Sequence, residues 1–528
     1  MTQPGPLQSE EYLPWSRARG VDVWAIFCAA AKGDLETVKA LVERDPGLID
    51  CEFEYRKPIH FAVRENRPEV VEFLLDNGAD PAYTFVSDSL LTMARDRGYD
   101  GLAALLEAKL KQHHRIDSQA ESIAALIRAR DIAQVRERLQ AQPGLIHAAD
   151  ERGNQPIHWA VMTRQMELID FLLDHGANIN AMRPDGARPL DLTNGDYWYR
   201  GWRDVPPEAM QRHHVLIGYL IARGSDYDIS VAAKIGDLDR VRSLLDKDPS
   251  LVNKVPPYSS YYSGLPLRCA AAGGHIEVVK LLLERGADPN QPDATAPEGG
   301  ALRDAVGGDH YEIAKLLLEH GAGPNASVES SGSCIWAARK HPRMFKLLAS
   351  YGGVIRFDLA CYDGDASIVG AMLAANPSLD IKEDALQNAA ENGHDEVLAL
   401  IHRFQPDALK RYRLGDPKTP ELARWLLERG VDPNRPNWLG ITPMHRFAGK
   451  GRIDLAEVLL EFGAAIDPVD EEYCSTPLGW AARSGREEMV IWLLAKGADP
   501  VLPKDKPWAV PIEWARRRGH EDIVGLLV

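Results

Sequence analysis

Apolar residues along this chain recur at helical spacing in short runs that glycine and polar turns break at regular intervals. The clearest run is LPLRCAAAGGHIEVVKLLLERGADPN, residues 265–290. Leu267, Ala270 and Ala271 fall on one face of a first short helix, and Val278, Val279, Leu281, Leu282 and Leu283 on one face of a second. Gly273 and Gly274 separate them. Gly286 tolerates positive φ, so the second helix can end there and the chain turn outward through Ala287, Asp288 and Pro289. One such pair cannot bury its own apolar face and needs copies of itself on either side.

The copies are present. KPIHFAVRENRPEVVEFLLDNGADP starts at Lys57, QPIHWAVMTRQMELIDFLLDHGANIN at Gln155, ITPMHRFAGKGRIDLAEVLLEFGAAID at Ile441 and TPLGWAARSGREEMVIWLLAKGADP at Thr476. The turn glycines Gly430, Gly463 and Gly497 lie 33 and 34 residues apart. This wording and period resemble the ankyrin repeat, a helix pair with a T-P-L-H opening and a G-A-D-x-N close. The resemblance covers nearly the whole chain. It implies an all-α ankyrin-repeat solenoid of about 14–16 helix-turn-helix units with protruding β-hairpin-like loops. It also implies a concave surface, built from first helices and loop tips, on which protein partners bind.

Some units depart from the pattern in a regular way. The unit from Ala29 closes in Asp-Pro-Gly-Leu, and QPGLIH, DPSLVN and NPSLD repeat that ending at Gln142, Asp248 and Asn376. A proline there stops the second helix. These variants open near 24, 121, 230 and 358, which divides the chain into a polar lead-in, 1–23, and blocks 24–120, 121–229, 230–357 and 358–528. The lead-in is expected to lie over the first unit, and the unit from Val510 to close the array with a polar face. Stretch 105–122 is long and charged, so the stack is expected to bend or break there. An insertion near 193–209 sets Tyr197, Trp198, Tyr199 and Trp202 among arginines and aspartates. Between Gln405 and Pro420 a first helix is expected to be shortened or lost.

A chain of 528 residues exceeds what one core usually supports, but a solenoid grows by adding units. The formal charge of −16 disfavours a nucleic-acid backbone as partner. Six cysteines without a C-x-x-C pair fit a reducing compartment. No apolar run approaches the roughly 20 residues of a membrane span, and no secretion signal opens the chain. The expectation is a cytoplasmic protein with protein partners, and with neither nucleic acid nor membrane as a partner.

Catalytic fingerprints are missing from the sequence: no H-E-x-x-H, P-loop, G-x-S-x-G or dinucleotide motif occurs. His60, His158 and His445 occupy the T-P-L-H slot, where the family's histidines hydrogen-bond a neighbouring loop. His113, His114, His213 and His214 lack further ligands at metal spacing, so no metal or cofactor is expected. The residue after the histidine slot runs Phe61, Trp159, Cys269, Asp304, Arg446, Trp480 and Trp514. Asp304 and Arg446 break an apolar series and must be paired or solvated, and Arg268 and Arg303 add charge beside Asp304.

Candidate groove residues are therefore Tyr55, Arg56, Trp198, Tyr199, Trp202, Tyr258, Tyr261, Tyr262, Arg303, Asp304, Trp438 and Arg446. Amphipathic rings give large contact area at little entropic cost. The first reading is a non-catalytic interaction scaffold. The alternative is an enzyme or a receptor for a small molecule or carbohydrate, with an aromatic groove and Asp196, Asp204 or Asp304 as acid or base.

Overall fold

The run at 265–290 folds as its pattern requires. The helix Pro266–Gly273 starts on a proline, whose missing N–H costs nothing in a first turn, and ends at Gly274 with φ +74°. The helix Ile276–Glu284 follows, and Gly286, at φ +88°, turns the chain out. Ala270, Ala271, Val279 and Leu282 are fully buried against the neighbouring pairs. Each large aliphatic side chain so buried is worth about 1.5–3 kcal/mol. A computed structural model describes residues 1–528 except 14, 15, 17, 86, 87, 115, 116, 118, 197, 211, 212, 257, 259–263, 294, 295 and 329–331. The side chains at 84, 85, 113, 114, 202, 210, 213 and 214 are also outside the description.

Counting one second helix per unit, from Leu35–Arg44 to Glu521–Leu527, gives sixteen units among the described residues. First helices pack on first helices and second on second, as in Pro266–Gly273 against Ala301–Gly307 and Ile276–Glu284 against Tyr311–Glu319. Loop tips project as short antiparallel ribbons at Thr84–Phe85 with Asp88–Ser89 and at Ser327–Val328 with Gly332–Ser333. Buried apolar residues gather in four clusters: 7–110 with Trp438, Leu439 and Ile441, then 120–231, 229–348 and 360–523.

The variant endings have a local cause. In Asp45-Pro-Gly the aspartate leaves the helix, its carboxylate accepts from the Gly47 N–H at 3.0 Å, and Pro46 opens a 3-10 turn, Pro46–Asp50. Asp248 repeats this with Ser250 at 3.1 Å. The unit after Gln405 does lose its first helix. A 3-10 turn, Pro406–Arg411, leads through an extended segment to the single helix Pro420–Glu428. Tyr412 is fully buried in the vacated space, and its hydroxyl accepts from the Gly415 N–H at 3.0 Å.

The polar lead-in folds as a 3-10 turn, Gly5–Gln8, on the helix Gly20–Lys32, with Leu7 fully buried. It also reaches far along the chain, where the Thr2 N–H donates to the Trp438 carbonyl at 3.0 Å. The first three units and the last three are in contact. An inner face open along its whole length is therefore not what forms, because its two ends occupy one another.

Candidate binding surface

His158 and His445 act as their slot implies. Each receives the backbone N–H that opens its helix on Nδ1, at 3.0 Å from Gln155 and 3.2 Å from Thr442. Each Nε2 meets a carbonyl of the next loop, Ala181 at 3.0 Å and Ser475 at 3.1 Å. Burial holds the two imidazoles down at about 3 and about 4, so both are neutral. His60 differs: its Nε2 lies 3.0 Å from the carboxylate of Glu472, more than four hundred residues away.

That carboxylate is the centre of the end-to-end contact. Glu472, 1% exposed, also accepts from Arg56 Nε at 3.2 Å, and its backbone carbonyl accepts from Arg97 at 2.5 Å. Burial opposes its ionisation, but His60, Arg56 and Arg64 outweigh burial and hold the carboxyl well below the usual glutamate range. Beside it Trp438, 6% exposed, sits among Phe27, Phe53 and Phe61 at ring separations of 6.5, 5.7 and 5.9 Å. Its indole N–H donates to Glu54 at 2.7 Å, and the Arg56 guanidinium lies 5.5 Å from its ring. A third patch pairs Asp88 with Arg483 and Arg518, and Asp96 with Arg518 at 2.9 Å. Arg97 covers the ring of Trp508 at 5.0 Å, and a cleft of about 420 Å³, lined in part by Asp96, Trp508 and Arg517, opens at the edge.

The insertion lies on the inner side as well. Its unit has only one 3-10 turn, Pro189–Leu192, in place of a first helix, so the chain leaves that turn beside the loop tips. Arg164, in a left-handed conformation at φ +56°, holds the segment through Asn194 at 2.6 Å. Asp196 pairs with the loop-tip Arg183 at 2.7 Å and accepts from the Trp198 and Tyr199 N–H groups at 2.9 Å each. Burial works against the Asp196 charge, but Arg183 and those donors hold its carboxyl below the ordinary range. Tyr199 meets Trp159 edge-on at 5.6 Å, and Arg152 stacks over Trp198 at 4.6 Å. Tyr258 is half-buried, 5.8 Å from Arg183. Tyr261, Tyr262 and the side chain of Trp202 lie outside the described residues, as do the side chains of His113, His114, His213 and His214.

Between these regions the first helices carry a row of half-exposed mixed chemistry. Asp304 receives Arg268 at 2.7 Å, and burial still raises its carboxyl above the usual range. Arg303 is half-buried next to it, its guanidinium shifted down by burial. Trp336 meets Tyr362 edge-on at 5.6 Å under Arg339, which stacks at 3.8 Å and pairs with Asp363 at 2.7 Å. Arg446 faces Glu391 at 3.8 Å. Asp304 and Arg446 thus take different partners, one unit and two units away.

Of the sequence candidates, the structure joins Arg56 with Trp438, while Trp198 and Tyr199 share Asp196, and Arg303 and Asp304 are neighbours along one helix. Tyr55 stays 46% exposed at the tip of the Phe53–Arg56 turn. Arg56 and Trp438 do not face an open groove, since the opposite end of the chain covers both. Sequence reasoning missed Glu54, Asp88, Arg97, Glu472 and Arg483. It also missed a repeated device in which a loop-tip aspartate accepts from the indole on the following first helix. Asp150 does so for Trp159 at 2.8 Å, and Asp470 for Trp480. An aspartate nine or ten residues before a tryptophan was the available signal. Among the described residues no group of three or more His, Cys, Asp or Glu side chains is placed to hold a metal ion, and no helix is long and apolar enough to cross a membrane.

Comparison with known proteins agrees with this geometry. The family described as "Ankyrin repeats (3 copies)" matches residues 19–85, 229–328 and 413–504, and "Ankyrin repeat" matches 152–183. A stretch of 82 residues is 40% identical to Palmitoyltransferase ZDHHC17 of Rattus norvegicus, covering 16% of this chain and 13% of that protein. Palmitoyltransferase ZDHHC13 of Homo sapiens is 39% identical over 82 residues, with the same coverage. Palmitoyltransferase Hip14 of Drosophila melanogaster is 43% identical over 77 residues, 15% of this chain and 12% of its own length. The chain therefore spans about an eighth of the length of these curated relatives.

Proposed function

Because the chain belongs to the ankyrin repeat family, we propose that it is a non-catalytic scaffold that binds protein partners through its first helices and loop tips. The supporting observation is the row from Arg303 through Trp336 and Tyr362 to Arg446. Its rings and charges of both signs stay partly exposed, and none of them takes part in the pairs described for the end-to-end contact. Arginine and aromatic side chains of this kind carry most of the energy of protein interfaces. A scaffold role also fits the acid–base candidates, since Asp196, Asp204 and Asp304 each meet an arginine at 2.7 Å. We place the protein in a reducing, cytoplasmic setting, in keeping with six cysteines that form no disulfide.

The test is quantitative cross-linking from native lysate with the intact chain and with a Trp336→Ala, Tyr362→Ala variant. Loss of the main cross-linked partners by about tenfold is expected, as for removal of interface anchors worth about 1.4 kcal/mol or more. Identical partner sets would show that the row anchors no partner.

A further inference from the structure

The end-to-end contact is built from the same parts that ankyrin units use for partners, on both sides. The first three units contribute first-helix and loop-tip residues, among them Phe27, Phe61 and Arg56. The last three contribute two loop tips, 437–441 and 470–473, and the first-helix residues Arg483 and Arg518. The fit is chemically specific. A box of three phenylalanine rings takes one indole, an acceptor on Glu54 takes its N–H, and Arg56, His60 and Arg97 surround Glu472. Asp88 and Asp96 then meet the arginines that follow on the next helices.

Strained backbone sits at this contact. The Phe53–Arg56 turn has Glu54 and Tyr55 at φ +48° and +60°, and the second inserted loop is followed by Cys474 at +51°. Side chains other than glycine rarely hold such angles unless the surroundings enforce them. The polar share of the contact is high, as in interfaces that open and close and unlike a continuous domain core.

We infer that the concave face of the first three units is a recognition surface for a protein loop presenting an indole beside a carboxylate, and that the chain's own loops 437–441 and 470–473 occupy it as an internal ligand. This rests on the reading of the chain as a protein-binding scaffold. A partner carrying the same pair of groups, followed by an arginine-bearing helix, competes with the internal loops. The internal loops hold the advantage of tethering, which raises their effective concentration to about the millimolar range. An external loop therefore binds weakly until the contact is loosened.

The experiment uses the full chain and, for the indole half of the pair, a fluorescent synthetic peptide of residues 434–441 as the probe. The intact chain is compared with Trp438→Ala, Glu472→Gln, in which the internal indole and carboxylate are gone and the three-ring box remains. The double variant is expected to bind the peptide at least about tenfold more tightly than the intact chain, because the tethered competitor has been removed. A peptide with alanine in place of its tryptophan is expected to lose that binding. Equal binding by both proteins, or no binding by the variant, overturns the inference. If the double variant does not keep its helical circular dichroism, Trp438→Ala alone replaces it, since it vacates the ring box and leaves Glu472 and its cations paired. The same gain in peptide binding is expected there, and its absence is equally decisive. The readout does not involve Trp336 or Tyr362, so failure here and failure of the scaffold reading are told apart.

Discussion

Glu472 shows how one side chain can hold distant parts of a chain together. It is fully buried, yet two guanidinium groups and an imidazole surround it, so it stays charged. Breaking a buried pair leaves uncompensated charge and typically costs about 3–5 kcal/mol. Glu472→Gln keeps the shape and loses the charge, and is expected to lower stability by about 3 kcal/mol in urea unfolding. A depressed glutamate contributes stability that is complete above about pH 4.3 and is lost as pH falls through its lowered value. The variant is therefore expected to lack that acid limb.

Asp470 works in the other direction. Burial pushes its carboxyl up to about 7, so the folded chain holds a proton that the unfolded chain has released. Its contribution to stability falls as pH rises from about 4 to 7. The buried neutral histidines His158 and His445 oppose this, because the unfolded chain binds their protons first and stability then rises with pH up to about 6.5. Asp470→Asn is expected to make the slope of stability against pH more positive between about pH 4 and 7, by at most about 1.4 kcal/mol per pH unit, in urea midpoints measured across the range. An unchanged slope would show that Asp470 is ionised in the folded chain.

At the scale of helices and turns, most of the architecture was legible in the sequence. Glycine or proline at fixed offsets marks where each helix starts and stops, and such signals act within a few residues. Thr442 illustrates this. It opens the helix Pro443–Lys450 in a capping box with His445, and Thr442→Ala is expected to cost about 1 kcal/mol, read as a lower midpoint for the last three units. The missing helix after Gln405 was legible too, but its replacement was not. Nothing local says that Tyr412 fills the gap, because its burial depends on the Pro406–Arg411 turn folding back. Tyr412→Phe is expected to cost about 1 kcal/mol for the lost hydroxyl, and Tyr412→Ala about 3–5 kcal/mol for the cavity, in thermal unfolding. Similar costs for both would mean that the ring is not packed as described.

The insertion at 193–209 was visible as an anomaly, but the sequence left open which side it faces. The family's connection between helices lies away from the loop tips. In this unit the first helix is a single turn, Pro189–Leu192, so the segment emerges on the inner side and Asp196 reaches Arg183. Trp438 and Arg56 were singled out for the right chemical reasons, as bulky and charged groups at loop tips. Their partners lie hundreds of residues away, at Phe61 and Glu472, and no periodicity links those positions. Contacts within a unit or between neighbours leave a repeating signature, whereas closure of the two ends happens once and leaves none.

At the scale of the whole molecule, the first and last units meet through three patches: the ring box around Trp438, the cations around Glu472, and the Asp88–Asp96 pairs with arginine. Removing one patch should loosen the closure before any unit unfolds. Trp438→Ala is expected to increase the radius of gyration in small-angle scattering while leaving helical circular dichroism unchanged. No change in radius would show that the other two patches suffice.

Closure also fixes how many units the chain can have. An open array can gain or lose a helix pair and simply become longer or shorter. Here a pair added or removed between residues 120 and 430 would carry Trp438 past its three phenylalanines by roughly the width of a packed helix, about 10 Å. The interior of this solenoid is thus as intolerant of whole-unit duplication as a β-barrel is of an extra strand, although most of its units share one helix-pair plan.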